Sequence, residues 1–224
     1  MSLNVSDFVQ SSAHRKLSLR AALESFVLLK NDKVAGLPLT TPARTACIVG
    51  PFIDDPSSTF GFYSLRIMKE RVVTPLQGIK REGKIVRRDN LKSASGCKDA
   101  FCKSYSSGEV VNACSEAELV IVCLGTGASI EREHSDRSDI NLPGNQLQLL
   151  KDAVNSTQGR VVLVLYNGGP LDITWAKENK KVVAILEPPP SPPKDNEWLQ
   201  TLLGYCAWVA CWNITYTNRQ ALQQ

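Results

Sequence analysis

Seven ionisable side chains are crowded between positions 131 and 139: Glu131, Arg132, Glu133, His134, Asp136, Arg137 and Asp139. They follow a continuous apolar run, Leu119-Val120-Ile121-Val122-Cys123-Leu124, closed by Gly125 and Gly127. Carboxyl groups set among cationic side chains on one loop can donate and accept protons, so general acid/base chemistry is the first chemistry this segment offers. The same spacing also describes a solvated loop whose charges pair with one another. The cysteines offer a second chemistry. Cys97 and Cys102 flank a short polar turn and are placed to close a small disulfide loop in an oxidising compartment. Cys47 and Cys123 sit inside strand-like apolar runs and read as small core residues. A metal site would need more ligands than this chain groups together; its only histidines are His14 and His134. No Gly-x-Gly-x-x-Gly or P-loop pattern is present, which argues against a nucleotide-binding domain.

The elements that must position the loop alternate in type. The run before it reads as a buried parallel strand, and a helix is expected from Asn145 to Asn155, opening near Pro143. Upstream, Ser12 to Lys30 reads as an amphipathic helix, with Leu17, Ala21, Leu23, Val27 and Leu28 on one stripe. Ala46 to Pro51 is a short buried strand stopped by Gly-Pro. Thr74-Pro75 is a helix start, Thr as the cap and Pro in the first turn. Lys84 to Arg88 reads as a weak strand and Ser107 to Glu116 as a helix. Arg160 to Tyr166 and Lys181 to Leu186 are further apolar strands, with a short helix from Leu171 to Lys177 between them. Strands alternating with helices imply βαβ units and a mostly parallel open sheet with helices on both faces, of about five strands between Ala43 and Glu187. In open α/β sheets ligands bind beyond the carboxyl ends of the strands, where the charged loop lies.

Composition narrows the classes. A hydrophobic content of 43% in 224 residues suits a globular core. The net charge of +4 is spread along the chain, with no basic run interleaved with aromatics, which argues against a nucleic-acid partner. The first residues, MSLNVSDFVQSSAHRK, lack the apolar core of a signal peptide. The run from Leu199 to Trp212 is too short to cross a bilayer, so no membrane role is expected. Asn4, Asn155 and Asn213 begin Asn-x-Ser/Thr sequons, which matter only outside the cell. The compartment is left open. At Pro188 a polyproline stretch begins, followed by a Trp-, Cys- and Leu-rich tail.

Taken in order, several segments resemble the C-terminal α/β sandwich domain of glycoside hydrolase family 3, in its β-xylosidase branch. These are SLRAALESFVLLKND, ACIVGPFIDD, VVTPLQGIK, SGCKDAFC, AELVIVCLG, SIEREHSDRSDINLPGNQLQLL and RVVLVLYNGGPLDITWAK. The resemblance covers roughly residues 14–187. It implies a retaining O-glycosyl hydrolase that acts on xylose- or arabinose-containing oligosaccharides, with no cofactor. In that family a separate barrel domain supplies the aspartate nucleophile, and the sandwich domain supplies the general acid/base on a loop. Glu131 matches the acid/base position through Ile130-Glu131 and the downstream Asp136-Arg137, with Glu133 as runner-up. His134, Asp136 and Arg137 are the weaker candidates for sugar contacts, Asp136 and Arg137 being better suited to shaping the loop.

The chain departs from the family pattern in two places. It contains no barrel, hence no candidate nucleophile, and after the Ile185 strand it continues into the proline run. The expected organisation is a leading helix and connector (1–42), a sandwich domain incomplete at its C-terminal end (43–187), and a Pro-rich linker with an unrelated tail (188–224). Two functions follow: the acid/base part of a β-xylosidase-like enzyme, inactive on its own, or a non-catalytic remnant that binds carbohydrate or a partner.

Overall fold

The computed structural model describes residues 11–39, 42–57, 73–82, 85–127, 129–132 and 134–188. Helix α1 (Ser12–Glu24) begins at a serine cap, Ser11 Oγ accepting a hydrogen bond from His14 N at 3.3 Å. It ends sooner than the apolar stripe predicts. Ser25 turns its N–H and hydroxyl back to Ala21 O, and Val27–Asn31 form strand β1 instead of more helix. The reason is tertiary: β1 pairs antiparallel with the last strand of the sheet, and that pairing outweighs a weak local helical preference.

Five further strands and four helices follow: β2 (Ala46–Val49), α2 (Pro75–Glu82), β3 (Leu91–Ala94), α3 (Ser107–Cys114), β4 (Leu119–Gly125), α4 (Gln146–Ser156), β5 (Arg160–Tyr166), α5 (Thr174–Glu178) and β6 (Val182–Glu187). The strand read over Lys84–Arg88 is displaced to Leu91–Ala94, beyond a single 3-10 turn at Arg88–Asn90. Ile85 and Val86 are apolar because they plug the core beneath α2. The true strand lies at the sheet edge with Lys92 and Ser93 exposed, so it carries no apolar run to be read.

The sheet order is β1-β6-β5-β4-β2-β3, parallel from β2 to β6 with β1 antiparallel at one edge. Every residue of β4 is buried, as a strand covered on both faces requires. Val120, Val122 and Leu124 pack with residues of α3, α4 and α5. Leu119, Ile121 and Cys123 pack on the other face with Leu76 and Ile79 of α2 and with Phe52. Each fully buried Leu, Ile or Val contributes about 1.5–3 kcal/mol relative to exposure, so β4 and β5 anchor the domain. Among the described residues no helix is long and apolar enough to cross a membrane.

Two features of this topology bear on the site. The chain leaves β2 toward β3 on one side and returns to β4 on the other, which makes the carboxyl ends of β2 and β4 the switch point of the sheet. The connection from β3 to α3 is closed by a disulfide between Cys97 and Cys102, whose α-carbons are 4.9 Å apart.

Candidate active site

The charged loop leaves the sheet at Gly125, the last residue of β4. Its φ is +149° and a Cβ there would collide with the carbonyl of Tyr166 on β5, so only glycine permits the two strand ends to come this close. The exit is then clamped by Gln146, the first residue of α4. Its fully buried amide accepts from Gly125 N (2.8 Å) and donates to Gly125 O (2.8 Å) and Ala100 O (2.6 Å). Thr126 N donates to Tyr166 O, and the Tyr166 ring stacks on Phe52, which follows β2, with centroids 5.6 Å apart. The base of the loop is therefore fixed to three strand ends before any charged residue appears.

Beyond this base the backbone makes one tight turn, Ile130 N and Glu131 N both donating to Gly127 O. A two-residue hairpin follows, Arg132 and Ser135 exchanging backbone hydrogen bonds. His134 lies at its tip with φ +63°, exposed to solvent. Glu133 lies outside the described residues.

Glu131 is the carboxylate this arrangement holds. Its Oε2 accepts from Arg137 Nε (3.2 Å) and from Thr126 Oγ1 (3.3 Å). Arg137 is the more enclosed of the ion pair, its side chain 12% exposed against 26% for Glu131. The rest of the guanidinium is spent on backbone: NH1 donates to Asp139 O at 3.2 Å and NH2 to Pro170 O at 2.6 Å. Arg137 thus ties the loop after β4 to the loop after β5, aided by Asp172 N donating to Ile140 O. The second loop closes over the carboxylate at Gly169, where a Cβ would strike Glu131 Oε1. Asn167 shapes that turn, its Nδ2 donating to Gly169 O and to Glu187 Oε1 on β6.

The arrangement leaves Glu131 half engaged. Oε2 is held by a cation and a hydroxyl, while Oε1 takes no hydrogen bond from the described residues. A carboxyl group oriented through one oxygen, with the other against Gly169 and without a hydrogen bond from the described residues, can pass a proton to an oxygen that reaches it. Of the other candidates, the structure brings Arg137 to Glu131, while His134 and Asp136 are exposed on the hairpin and its exit. Gln146 and Gly169 were not singled out in the sequence. Their signals were available in the Gly-Asn-Gln just ahead of a helix and the Gly-Gly-Pro after a buried strand.

The chain is similar to known proteins. The family model for the glycosyl hydrolase family 3 C-terminal domain matches residues 26–189. Beta-D-xylosidase 1 of Arabidopsis thaliana is 35% identical over 180 residues, which cover 80% of this chain and 22% of that protein. Beta-xylosidase/alpha-L-arabinofuranosidase 2 of Medicago sativa subsp. varia is 32% identical over 179 residues, again 80% of this chain and 22% of the relative. Among solved structures, a family 3 exo-β-xylosidase in complex with a xylobiose aziridine activity-based probe is similar with a TM-score of 0.73 at 26% identity, over 87% of this chain and 24% of that one. The chain spans 22% of the length of these curated relatives.

Proposed function

Because this chain belongs to glycoside hydrolase family 3 through its C-terminal domain, we propose that it supplies the acid/base half of a retaining β-xylosidase-type active site, with Glu131 as the proton donor and acceptor. The observation that carries this reading is the half-engaged carboxylate of Glu131 beside the switch point of the sheet. In the first step a nucleophile from the barrel domain attacks the anomeric carbon while Glu131 protonates the departing glycosidic oxygen. In the second Glu131 removes a proton from the water that releases the sugar. Arg137 keeps the carboxylate on station through both steps. His134 and Asp136 stand where sugar hydroxyls would reach the hairpin. The substrates are oligosaccharides ending in β-linked xylose or in arabinose, by analogy with the named activities of the relatives. In this reading residues 43–187 form the catalytic-half domain, 1–42 lead into it and 188–224 are linker and tail.

The test joins this chain to a family 3 barrel and measures hydrolysis of β-xylosides with good and poor leaving groups. Glu131→Gln should abolish turnover of xylobiose yet spare the first step on activated aryl xylosides, because a good leaving group needs little protonation. If Glu131→Gln behaves as wild type and Glu133→Gln shows that pattern, the role passes to Glu133. The 224-residue chain alone should hydrolyse aryl xylosides no faster than a blank, since one carboxylate without its opposing nucleophile leaves the transition state unsupported. Sugar binding by the joined protein with no turnover would favour the non-catalytic reading.

A further inference from the structure

The face of the sheet covered by α3 holds a second pair of cysteines. Cys47 lies on β2 and Cys114 is the last residue of α3; both are fully buried in the same core cluster, thiol against thiol. The backbone around the pair is fixed from two directions. Thr45 Oγ1 donates to Glu116 O at 2.7 Å. Lys92, the partner of Cys47 in the β2–β3 register, holds the Glu116 carboxylate at 2.7 Å. A residue two before Cys47 and the strand neighbour of Cys47 thus converge on the residue two past Cys114. Cys123, which is in no disulfide, packs on the opposite face with the sheet in between.

We propose that Cys47 and Cys114 are the halves of a second disulfide, which staples the end of α3 to β2 when the chain folds in an oxidising environment. The oxidant is a small-molecule disulfide such as glutathione disulfide. One cysteine thiolate attacks it, forming a mixed disulfide and expelling one small thiolate. The other cysteine thiolate attacks the protein sulfur of that mixed disulfide and expels the second. The two cysteines lose two electrons and two protons, and the small disulfide leaves as two thiols. The exchange belongs to folding. Once the core has closed, the adjacent Cys114 thiol and burial push the Cys47 thiol far above its ordinary range, so it stays protonated and unreactive. With Cys97–Cys102 already in the β3–α3 connection, the new bond cross-links the other end of α3 and closes the loop that contains α2 and β3.

The experiment refolds the full reduced chain in a glutathione redox buffer and quenches it with iodoacetamide in denaturant. It then maps unreduced peptides after cleavage at glutamate. Cuts at Glu116 and Glu118 separate Cys114 from Cys123. The expected product is a Cys47 peptide bonded to a Cys114 peptide, released by dithiothreitol and retained in Cys123→Ser. Oxidised wild type should unfold about 5–10 °C above Cys114→Ser. Carbamidomethyl groups on both Cys47 and Cys114, or a bond from either to any other cysteine, in refolded protein with native circular dichroism, would overturn the proposal. Should Cys114→Ser fail to fold, the peptide map of wild type and Cys123→Ser decides alone.

Discussion

The two ends of the sheet carry similar charged residues and use them differently. At the amino end, Glu118 takes Arg44 N on one oxygen and Arg44 Nε on the other. Lys181 Nζ caps the carbonyls of Val154 and Thr157, and Lys30 Nζ those of Ala176, Lys177 and Asn179 at the end of α5. A concavity of about 470 Å³ opens there between Pro42, Glu118, Arg160 and Lys181, yet its acid is fully occupied. At the carboxyl end Arg137 also spends itself on carbonyls, but in doing so it orients Glu131 through a single oxygen and leaves the other without a hydrogen bond from the described residues. Charge density is shared by both ends. The difference is a polar atom held in place with no hydrogen bond from the described residues, beyond the carboxyl ends of the strands.

The contrast breaks first on activity. In the chain joined to a barrel, Glu131→Gln should lower kcat on xylobiose by about 10²–10⁴-fold, while Glu118→Gln should leave it unchanged in the same assay. Equal losses from the two variants would erase the distinction between the ends. Arg137→Leu comes next. It keeps the acid but removes the guanidinium that ties it to Pro170 O and Asp139 O, and misplacing a catalytic group by about 1 Å commonly costs on the order of 10²-fold. The loss should appear in kcat, together with a fall in urea stability of about 1–3 kcal/mol from the lost hydrogen bonds; a change confined to KM would mean that Arg137 binds sugar instead of holding the loop.

Stability sharpens the comparison further. Gln146→Leu removes three hydrogen bonds at the root of the loop and strands Gly125 N, Gly125 O and Ala100 O in the core. Urea unfolding should show a loss of about 2–4 kcal/mol. The smallest effect falls on Asp152 of α4, a spent carboxylate like Glu118. Burial would raise its pKa, but the hydroxyls of Ser107 and Tyr105 and the Gln148 amide outweigh it and hold it below the usual carboxylate range. A depressed carboxylate stabilises the fold above its unfolded pKa of about 3.9, and that stability is lost as pH falls through the lower folded value. Asp152→Asn should therefore unfold at lower urea than wild type at pH 7, with the gap closing as pH falls below about 3.9 and through the lower folded value. A gap that persists there would assign the effect to packing.

Much of the frame was legible in the residues. The apolar runs at 119–124 and 160–166 are buried on both faces, as parallel strands under helices must be, and their short length and flanking glycines set them apart from a buried helix. Thr74-Pro75 marks a helix start in sequence and in structure, Thr74 Oγ1 capping Gln77 N and bonding Asp54. Two strands were missed for opposite reasons. β1 sits next to a helix and shares its apolar stripe, and β3 is a polar edge with no stripe at all.

The site divides in the same way. Composition and order of residues determined that the charged loop follows β4, because a charged segment after a buried run has nowhere to go but the end of the sheet. Only the tertiary structure decided which charges are spent. Arg137 reaches a carbonyl 33 positions away, Arg44 an acid 74 positions away, and Gln146 both sides of a glycine 21 positions back. Periodicity reports how a residue meets its own helix or strand. Whether a carboxylate keeps a free oxygen depends on donors delivered by other strands, and those distances are set by how the sheet is ordered and not by the spacing of residues along the chain.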